Sequence, residues 1–270
     1  MLYYRNLMKK PINHAMIKKN LAISDFGKQP LFSPLVFTAK SKVMKVIIAM
    51  LMVCVSVGFA QAQESETRSV DSFRGVKSSQ AIDVYLKKGT KESVKVEVTG
   101  GVKLSNVITE VSGTYLKIHM RDGNYKKTSI KVYVTYVNLA RISASSASNV
   151  FSEGPIKAES FDIDISSAAS VEVSLEVNTL TVDASSAGDA VLEGKAKTLR
   201  VEVNSAGDVD AYGLVSEIVR ASANSGGSVK VSVSKELDAH ANSGGSIRYR
   251  GSPIKTNTGA NSGGSVKKSN

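Results

Sequence analysis

The chain has 270 residues, a formal net charge of +11, one cysteine and no tryptophan. This length predicts one or two globular domains, and a single cysteine excludes an internal disulfide. The charge is concentrated at the start, because residues 1–45 hold nine Lys or Arg against one Asp. Residues 46–270 therefore keep only +3, too little for the persistent basic patch of a nucleic-acid-binding protein. We predict no nucleic-acid partner.

An apolar stretch near the start predicts export. Residues 44–62, MKVIIAMLMVCVSVGFAQA, begin with a lysine, continue as an apolar run and end in Ala60 and Ala62, as signal peptides do. A transmembrane helix is the alternative, but the uncharged run is shorter than the roughly 20 residues that a span needs. Lipidation of Cys54 is a second alternative, but Val53 stands where a lipidated cysteine is normally preceded by Gly, Ala or Ser. We expect a mature chain from Gln63 without cysteine and without a transmembrane segment.

Residues 1–43 precede the signal peptide and show no sustained apolar period. A signal peptide stands near the start of a chain, so Met44 is the expected initiator. Residues 1–43 are then either an extension that is not translated or an unusually long, disordered targeting region.

Residues 63–140 are rich in predicted strands. Segments of alternating polarity such as AIDVYL at Ala81, SVKVEV at Ser93 and TYLKIHM at Thr114 are separated by the turn signals SG and DGN. No helix is predicted after residue 62. These segments form either irregular early coils of a solenoid, which we favour, or a small antiparallel cap.

Residues 141–270 repeat one six-residue phrase, which runs from SSASNV at Ser145 to NSGGSV at Asn261. The second residue of each phrase, here called the marker serine, recurs every 18 to 21 residues, at Ser146, Ser167, Ser186, Ser205, Ser225, Ser243 and Ser262. Apolar residues alternate with polar ones on both sides of each marker serine, the period of a strand with one buried face. Such units bury their apolar faces only by stacking. The sequence therefore predicts an all-β parallel β-helix with coils of about 19 residues.

Stacking explains why the phrase is conserved from coil to coil within this chain. Equal positions lie above one another at about 4.8 Å, so a tight corner must be tight in every coil. We expect a corner ladder that contains marker serines Ser186, Ser205, Ser225, Ser243 and Ser262 and the amides of Asn204, Asn224, Asn242 and Asn261. The glycines two residues after these serines, such as Gly188 and Gly227, are expected to have positive φ.

The chain resembles the head GIN domain of auto-transporter adhesins, a domain of unknown function in secreted proteins of the Bacteroidetes type. The resemblance is carried by FRGVKSSQAIDVYLKKG at Phe73, VKVEV at Val94, SGTYLKI at Ser112 and the serial corners. It implies a right-handed, single-stranded β-helix and an exported location, in the periplasm, at the outer membrane or on the surface of a Gram-negative bacterium. It carries no catalytic residues and no cofactor to this chain.

Two columns of charged residues are the candidate sites. Asp164, Asp183 and Glu202 occupy one outward position of consecutive coils, where stacked carboxylates could bind a cation such as Ca²⁺. A solvated strand face is the favoured interpretation, so we predict no metal site and no catalytic residues. Lys230, Arg248 and Lys267 form a basic column that is either a contact for an anionic surface or a device for solubility.

Three functions remain open. The leading one is a secreted, non-enzymatic adhesin-like or scaffold module of the cell envelope, with a glycan or another cell-surface ligand as partner and no cofactor. A polysaccharide lyase or hydrolase that uses the carboxylate face is the second. The third is a structural envelope protein that stacks end to end, because the last coil is followed only by VKKSN and no capping element. Weak self-association at the carboxy-terminal end is expected.

Overall fold

The computed structural model describes residues 64–125 and 128–269, so the extension and the signal peptide predicted for residues 1–62 lie outside the described residues. The described residues form strands and one 3-10 turn at Leu104–Asn106, without an α-helix. In that part of the chain, no helix has the length and apolarity of a membrane span. The strands are β1 Glu64–Arg68, β2 Gly75–Ser78, β3 Asp83–Lys88, β4 Ser93–Thr99, β5 Val107–Ser112, β6 Tyr115–Met120, β7 Ser129–Tyr136, β8 Arg141–Ala144, β9 Asn149–Ile165, β10 Ser170–Ala184, β11 Asp189–Val203, β12 Asp208–Ala223, β13 Ser228–Ala241, β14 Ser246–Arg250, β15 Lys255–Ala260 and β16 Ser265–Lys268.

The strands from β8 onward stack as parallel coils, and the predicted β-helix is confirmed. Strand β10, for example, pairs in parallel with both β9 and β11, which places Val182 between Ile163 and Val201. Each long strand starts after one corner and continues through the return segment to the next corner. The part of each coil before its corner stacks on the same part of the neighbouring coils, and we call this stack the first sheet. The part after the corner stacks likewise, and we call that stack the second sheet.

The core is a set of apolar rows along the axis of the coils. One row occupies the same inward position of five successive coils and is fully buried; it contains Phe161, Leu180, Leu199, Val219 and Leu237. Every second side chain along each strand points inward. Residues about 19 positions apart in sequence therefore meet in one row. Burial of the rows is the main stabilising term of this fold.

The corners correct one prediction. Positive φ occurs at the marker serines and at the residues that follow them, such as Ser205 and Ala206, and the expected glycines Gly188 and Gly227 are not among the positive-φ residues. These glycines are needed for space instead, because a Cβ on Gly227 would lie 2.8 Å from the carbonyl oxygen of Val203 in the preceding coil. At Gly227 there is room only for a small residue, because this corner touches the preceding coil.

The amino-terminal region contains both arrangements considered above. Strands β2 and β3 form one parallel coil that lies between β6 and β7 on one side and β8 and β9 on the other. Its corner, Ser79–Asp83, matches the repeated phrase in space, and Gln80 and Ala81 have the positive φ of the later corners. This eighth corner is missed in the sequence because Ile82 replaces the small residue.

The remaining amino-terminal strands close the end of the solenoid. Strand β4 is antiparallel to β7 and to β1, and β5 is antiparallel to β6. Arg68 of β1 reaches across this end, donating to the carbonyl oxygens of Val107 at 2.6 Å and Leu104 at 2.9 Å and to Thr109 Oγ1 at 3.0 Å. A guanidinium carries enough donors for all three acceptors, so Arg68 caps the core with polar contacts.

Candidate functional site

The lateral outer faces of the two sheets carry the predicted site residues. The first face is the outer side of the first sheet, and the second face is the outer side of the second sheet. Since outward residues alternate with core residues, each face is built of columns with one residue per coil. Both faces are flat, because short corners connect the coils and no long loop rises beside either face among the described residues.

The basic column lies on the second face, as the register requires. Lys230 pairs with Arg248, and Arg248 pairs with Lys267. Lys230 Nζ donates to Asp210 Oδ2 at 3.0 Å, and this hydrogen bond raises the pKa of Lys230. Arg248 and Lys267 are exposed and have no ion pair among the described residues. The available positive charge is therefore at the carboxy-terminal end of the column.

A fourth cation that the sequence interpretation missed extends this column. Arg250 follows Arg248 by two residues on β14 and so points to the same face. Its guanidinium carbon lies 4.0 Å from the ring centroid of Tyr212, a cation–π contact. The Tyr212 hydroxyl is in turn 2.7 Å from Ser269 Oγ. The period of two along β14 was a signal for Arg250, but its aromatic support comes from another coil.

An aromatic ladder occupies the amino-terminal half of the same face and was also missed. Tyr85 lies between Tyr133 and Phe151, with ring centroids 5.2 Å and 5.3 Å apart and interplanar angles of 19° and 22°. Stacking turns the ring faces toward one another, so mainly ring edges meet the solvent. A sugar that stacks on an aromatic ring needs a free ring face. We therefore assign the ladder to stabilisation of the coils.

The carboxylate column lies on the first face. Asp183 pairs in register with Asp164 on one side and Glu202 on the other. Burial by the neighbouring strands, then the charges of Asp164 and Glu202, raises the pKa of Asp183. Within residues 64–125 and 128–269, no three His, Cys, Asp or Glu side chains converge as ligands of a metal ion. The column is a row of like charges, of which Glu202 forms an ion pair with Arg200 at 3.9 Å.

A shallow depression on the first face adjoins this column. Arg200 and Arg220 are neighbours in register, and Ser222 and His240 line the depression beside them. Asp238, next to Arg220, instead contacts His240 Nε2 at 2.9 Å. The depression is open, and its lining mixes both signs of charge, with Glu202 and Asp238 beside Arg200 and Arg220.

The corner ladder is made mainly by the backbone. The carbonyl oxygen of Ser205 accepts from the amide of Ala187, and that of Ser225 accepts from Ala206, each at 3.1 Å; Ser243 and Ser262 repeat the pattern. Among the asparagine side chains, Asn242 Nδ2 donates to Asn224 Oδ1 at 3.2 Å. Asn204 instead donates to Glu202 in its own coil, and Asn261 is exposed. The corners are thus structural.

Comparison with known proteins agrees with this architecture. The family model described as "Putative auto-transporter adhesin, head GIN domain" matches residues 72–253. No curated protein matches the chain.

Solved structures share the fold. A structure described as a putative adhesin from Bacteroides fragilis superposes with a TM-score of 0.71 at 22% identity, covering 78% of this chain and 98% of the other. A putative lipid binding protein from Parabacteroides distasonis gives 0.62 at 17%, with coverage of 78% and 98%. A putative adhesin from Parabacteroides merdae gives 0.62 at 17%, with coverage of 79% and 98%. At these identities the likeness concerns the fold alone.

Proposed function

Since the chain belongs to the family of auto-transporter adhesin head GIN domains, we propose that it is an exported, non-enzymatic, adhesin-like binding module of the cell envelope. The β-helix serves as a rigid support, and the ligand is an anionic glycan or a similar polyanion of a cell surface. A fold alone does not assign a function, so the proposal rests on a surface feature.

The supporting observation is the carboxy-terminal part of the basic column with Arg250. Arg248 and Lys267 lie one coil apart, and Arg250 is held beside them by Tyr212. Cations that repeat at one strand spacing, about 4.8 Å, suit a linear chain of anionic groups better than one compact anion. A flat face also suits a polymer, which needs no enclosing pocket. Such electrostatic binding weakens as salt is added.

The proposal is tested by measuring the binding of the purified exported protein to immobilised acidic and neutral polysaccharides. We expect binding to acidic polymers only, reduced at least about tenfold in the double variant R248Q/K267Q, since each lost cation contributes on the order of 1 kcal/mol. The matched control is K195Q/K197Q, which removes two exposed cations of β11 away from the column. Equal loss in both variants would show general charge attraction and contradict a defined site.

The non-enzymatic part needs a separate measurement. Incubation of the protein with the polysaccharide that it binds is expected to leave the length of the polymer unchanged, as followed by size-exclusion chromatography. Shortened product that depends on Asp164, Asp183 or Glu202 would contradict the proposal and favour a lyase or hydrolase.

A further inference from the structure

Both ends of the solenoid present sheet edges. In the described part of the chain, β1 pairs only with β4 and β5 only with β6 at the amino-terminal end, while β15 pairs only with β13 and β16 only with β14 at the carboxy-terminal end. Each edge leaves a row of backbone N–H and C=O groups without a strand partner, which is a template for pairing with another chain.

The edge strands of the second sheet, β1 and β16, run in the same direction, whereas β5 and β15 of the first sheet run in opposite directions. Strand β4 is antiparallel to β7, and β1 is antiparallel to β4, so β1 runs in the direction of β7. From β7 the second sheet continues in parallel through β3 and the long strands to β14 and β16. Strand β1 is therefore parallel to β16. A second copy placed end to end would pair its β1 with β16 in the direction that the second sheet already uses.

The two ends carry opposite charge. Residues 251–269 at the carboxy-terminal end contain Lys255, Lys267 and Lys268 and no acidic residue. The edge strands of the amino-terminal end contain Glu64 and Glu66 on β1 and Glu110 on β5, with Arg68 as the only cation. Two like ends would repel each other, whereas unlike ends attract.

The inward positions of the last coil also differ from those before it. Thr256 and Thr258 replace the buried Leu237 and Ala239 in register, and both threonines are exposed. At the other end, Arg68 covers the core. Apart from the exposed Ile254 before β15, neither end presents a large apolar side chain to solvent within residues 64–125 and 128–269, so a contact between ends depends mainly on backbone hydrogen bonds and charge. Such a contact is weak and reversible.

We propose that this protein associates with a second copy of itself head to tail, the carboxy-terminal edge of one chain pairing with the amino-terminal edge of the next. The contact adds a strand to an existing sheet. Because it joins two different surfaces, it does not close on itself and continues as a linear filament. The lateral faces remain free along such a filament except at each junction, where Lys267 of the basic column lies on the edge strand β16.

The first experiment is sedimentation velocity of the purified exported protein over a range of concentrations and salt. The weight-average sedimentation coefficient is expected to rise with concentration beyond that of a dimer and to fall with added salt, because screening weakens exposed charge pairs. A protein that stays monomeric at all concentrations overturns the proposal. A protein that stops at the dimer also overturns it, since that pattern indicates a closed, symmetric contact.

Charge reversal at each end identifies the surfaces. The variant K255E/K268E makes both ends acidic, and E64K/E110K makes both ends basic, so each alone is expected to self-associate at least about tenfold more weakly. Mixing the two variants restores association, because every unlike pair of ends becomes attractive again. The control K195E/K197E makes the same change in net charge as K255E/K268E, but on β11, away from both ends. It is expected to keep native association. Failure of the mixture to associate contradicts head-to-tail pairing, even when each single variant is monomeric.

Discussion

The regular coils from β8 to β16 and the amino-terminal region from β1 to β7 differ in how their strands pair. In the regular coils every strand is parallel, so each position meets its own equivalent in the next coil. In the amino-terminal region β1, β4 and β5 turn antiparallel, and each position meets a different residue type. A coil in the middle of the stack is covered by a coil on each side. A coil at the end faces solvent on one side and needs polar residues there.

The two ends of the molecule show the same contrast. Arg68 closes the amino-terminal end with a side chain that satisfies three acceptors. The carboxy-terminal end has no such side chain among the described residues, and the last coil becomes polar through Thr256 and Thr258 instead. Repetition therefore stabilises the middle, and single residues decide the ends.

The largest expected effect is in the core row of the middle. Phe161→Ala removes a fully buried ring and is expected to destabilise the protein by about 3–5 kcal/mol, because neighbouring rigid coils cannot fill the cavity. Val266→Ala in the half-buried last coil is expected to cost below about 1 kcal/mol. Urea unfolding of both variants measures the difference. Equal costs would show that the last coil is as tightly packed as the middle.

The next effect separates space from backbone conformation at one corner. Gly227→Ala would place a Cβ 2.8 Å from the Val203 carbonyl oxygen and is expected to cost about 1–3 kcal/mol through overpacking. The neighbouring Gly226 has φ +76 with open space around it, so an added Cβ would meet no other atom there, and Ala187 shows that alanine can adopt this positive φ. Gly226→Ala is therefore the control, with a smaller cost expected when both variants are unfolded in urea.

A local effect is expected at the amino-terminal cap. Arg68→Met removes the donors for Leu104, Val107 and Thr109 while keeping much of the aliphatic stem, and should cost about 1–2 kcal/mol. Hydrogen exchange should show faster amide exchange in β1 and β5 and native protection in the regular coils. Lys103→Met, an exposed substitution nearby, is the control. Loss of protection throughout the molecule would contradict an end that unfolds by itself.

The smallest effect is the pH response of the carboxylate column. The pKa of Asp183 is raised above its usual 3.8, so the folded state binds the proton more tightly than the unfolded state. Its contribution to stability therefore declines as pH rises from about 3.8 through the raised value. Asp183→Asn should flatten that decline and gain at most a few tenths of a kcal/mol at neutral pH, because the side chain is exposed and screened. Melting temperatures measured against pH, with Glu172→Gln as control, test the sign.

The stacking could be predicted from the sequence because each coil repeats the same corner phrase and the same apolar alternation. Register, buried rows and both charged columns depend only on a repeat of fixed length and an alternation of two along each strand. The eighth corner at Gln80 and Ala81 escaped, because Ile82 interrupts the small-residue pattern. The aromatic ladder escaped for another reason: Tyr85 and Phe151 belong to adjacent coils but are far apart in sequence.

The site was predicted only in part. The basic column was found by its spacing, but the ion pair that neutralises Lys230 comes from Asp210, and the support for Arg250 comes from Tyr212. Asp210 and Tyr212 stand five and seven residues after Ser205, the same offsets as Lys230 and Arg250 in their own coils. The repeat therefore aligns the partners, but only the structure shows which of the aligned side chains make contact. The corner glycines show a similar limit, since their contact is with a carbonyl of another coil.

By itself, the sequence determined the all-β class, the coil length, the inward rows and the columns on the outer faces. These features follow from two periods in the sequence. One is the alternation of apolar and polar residues within a strand, and the other is the repeat of about 19 residues from coil to coil. Only the tertiary structure decided that β2 and β3 insert beside β8 and β9, that Arg68 closes one end, and that the edge strands β1 and β16 of the second sheet run in one direction. Those facts depend on which distant segments meet, and contacts of that kind are chosen by the packing of the whole chain.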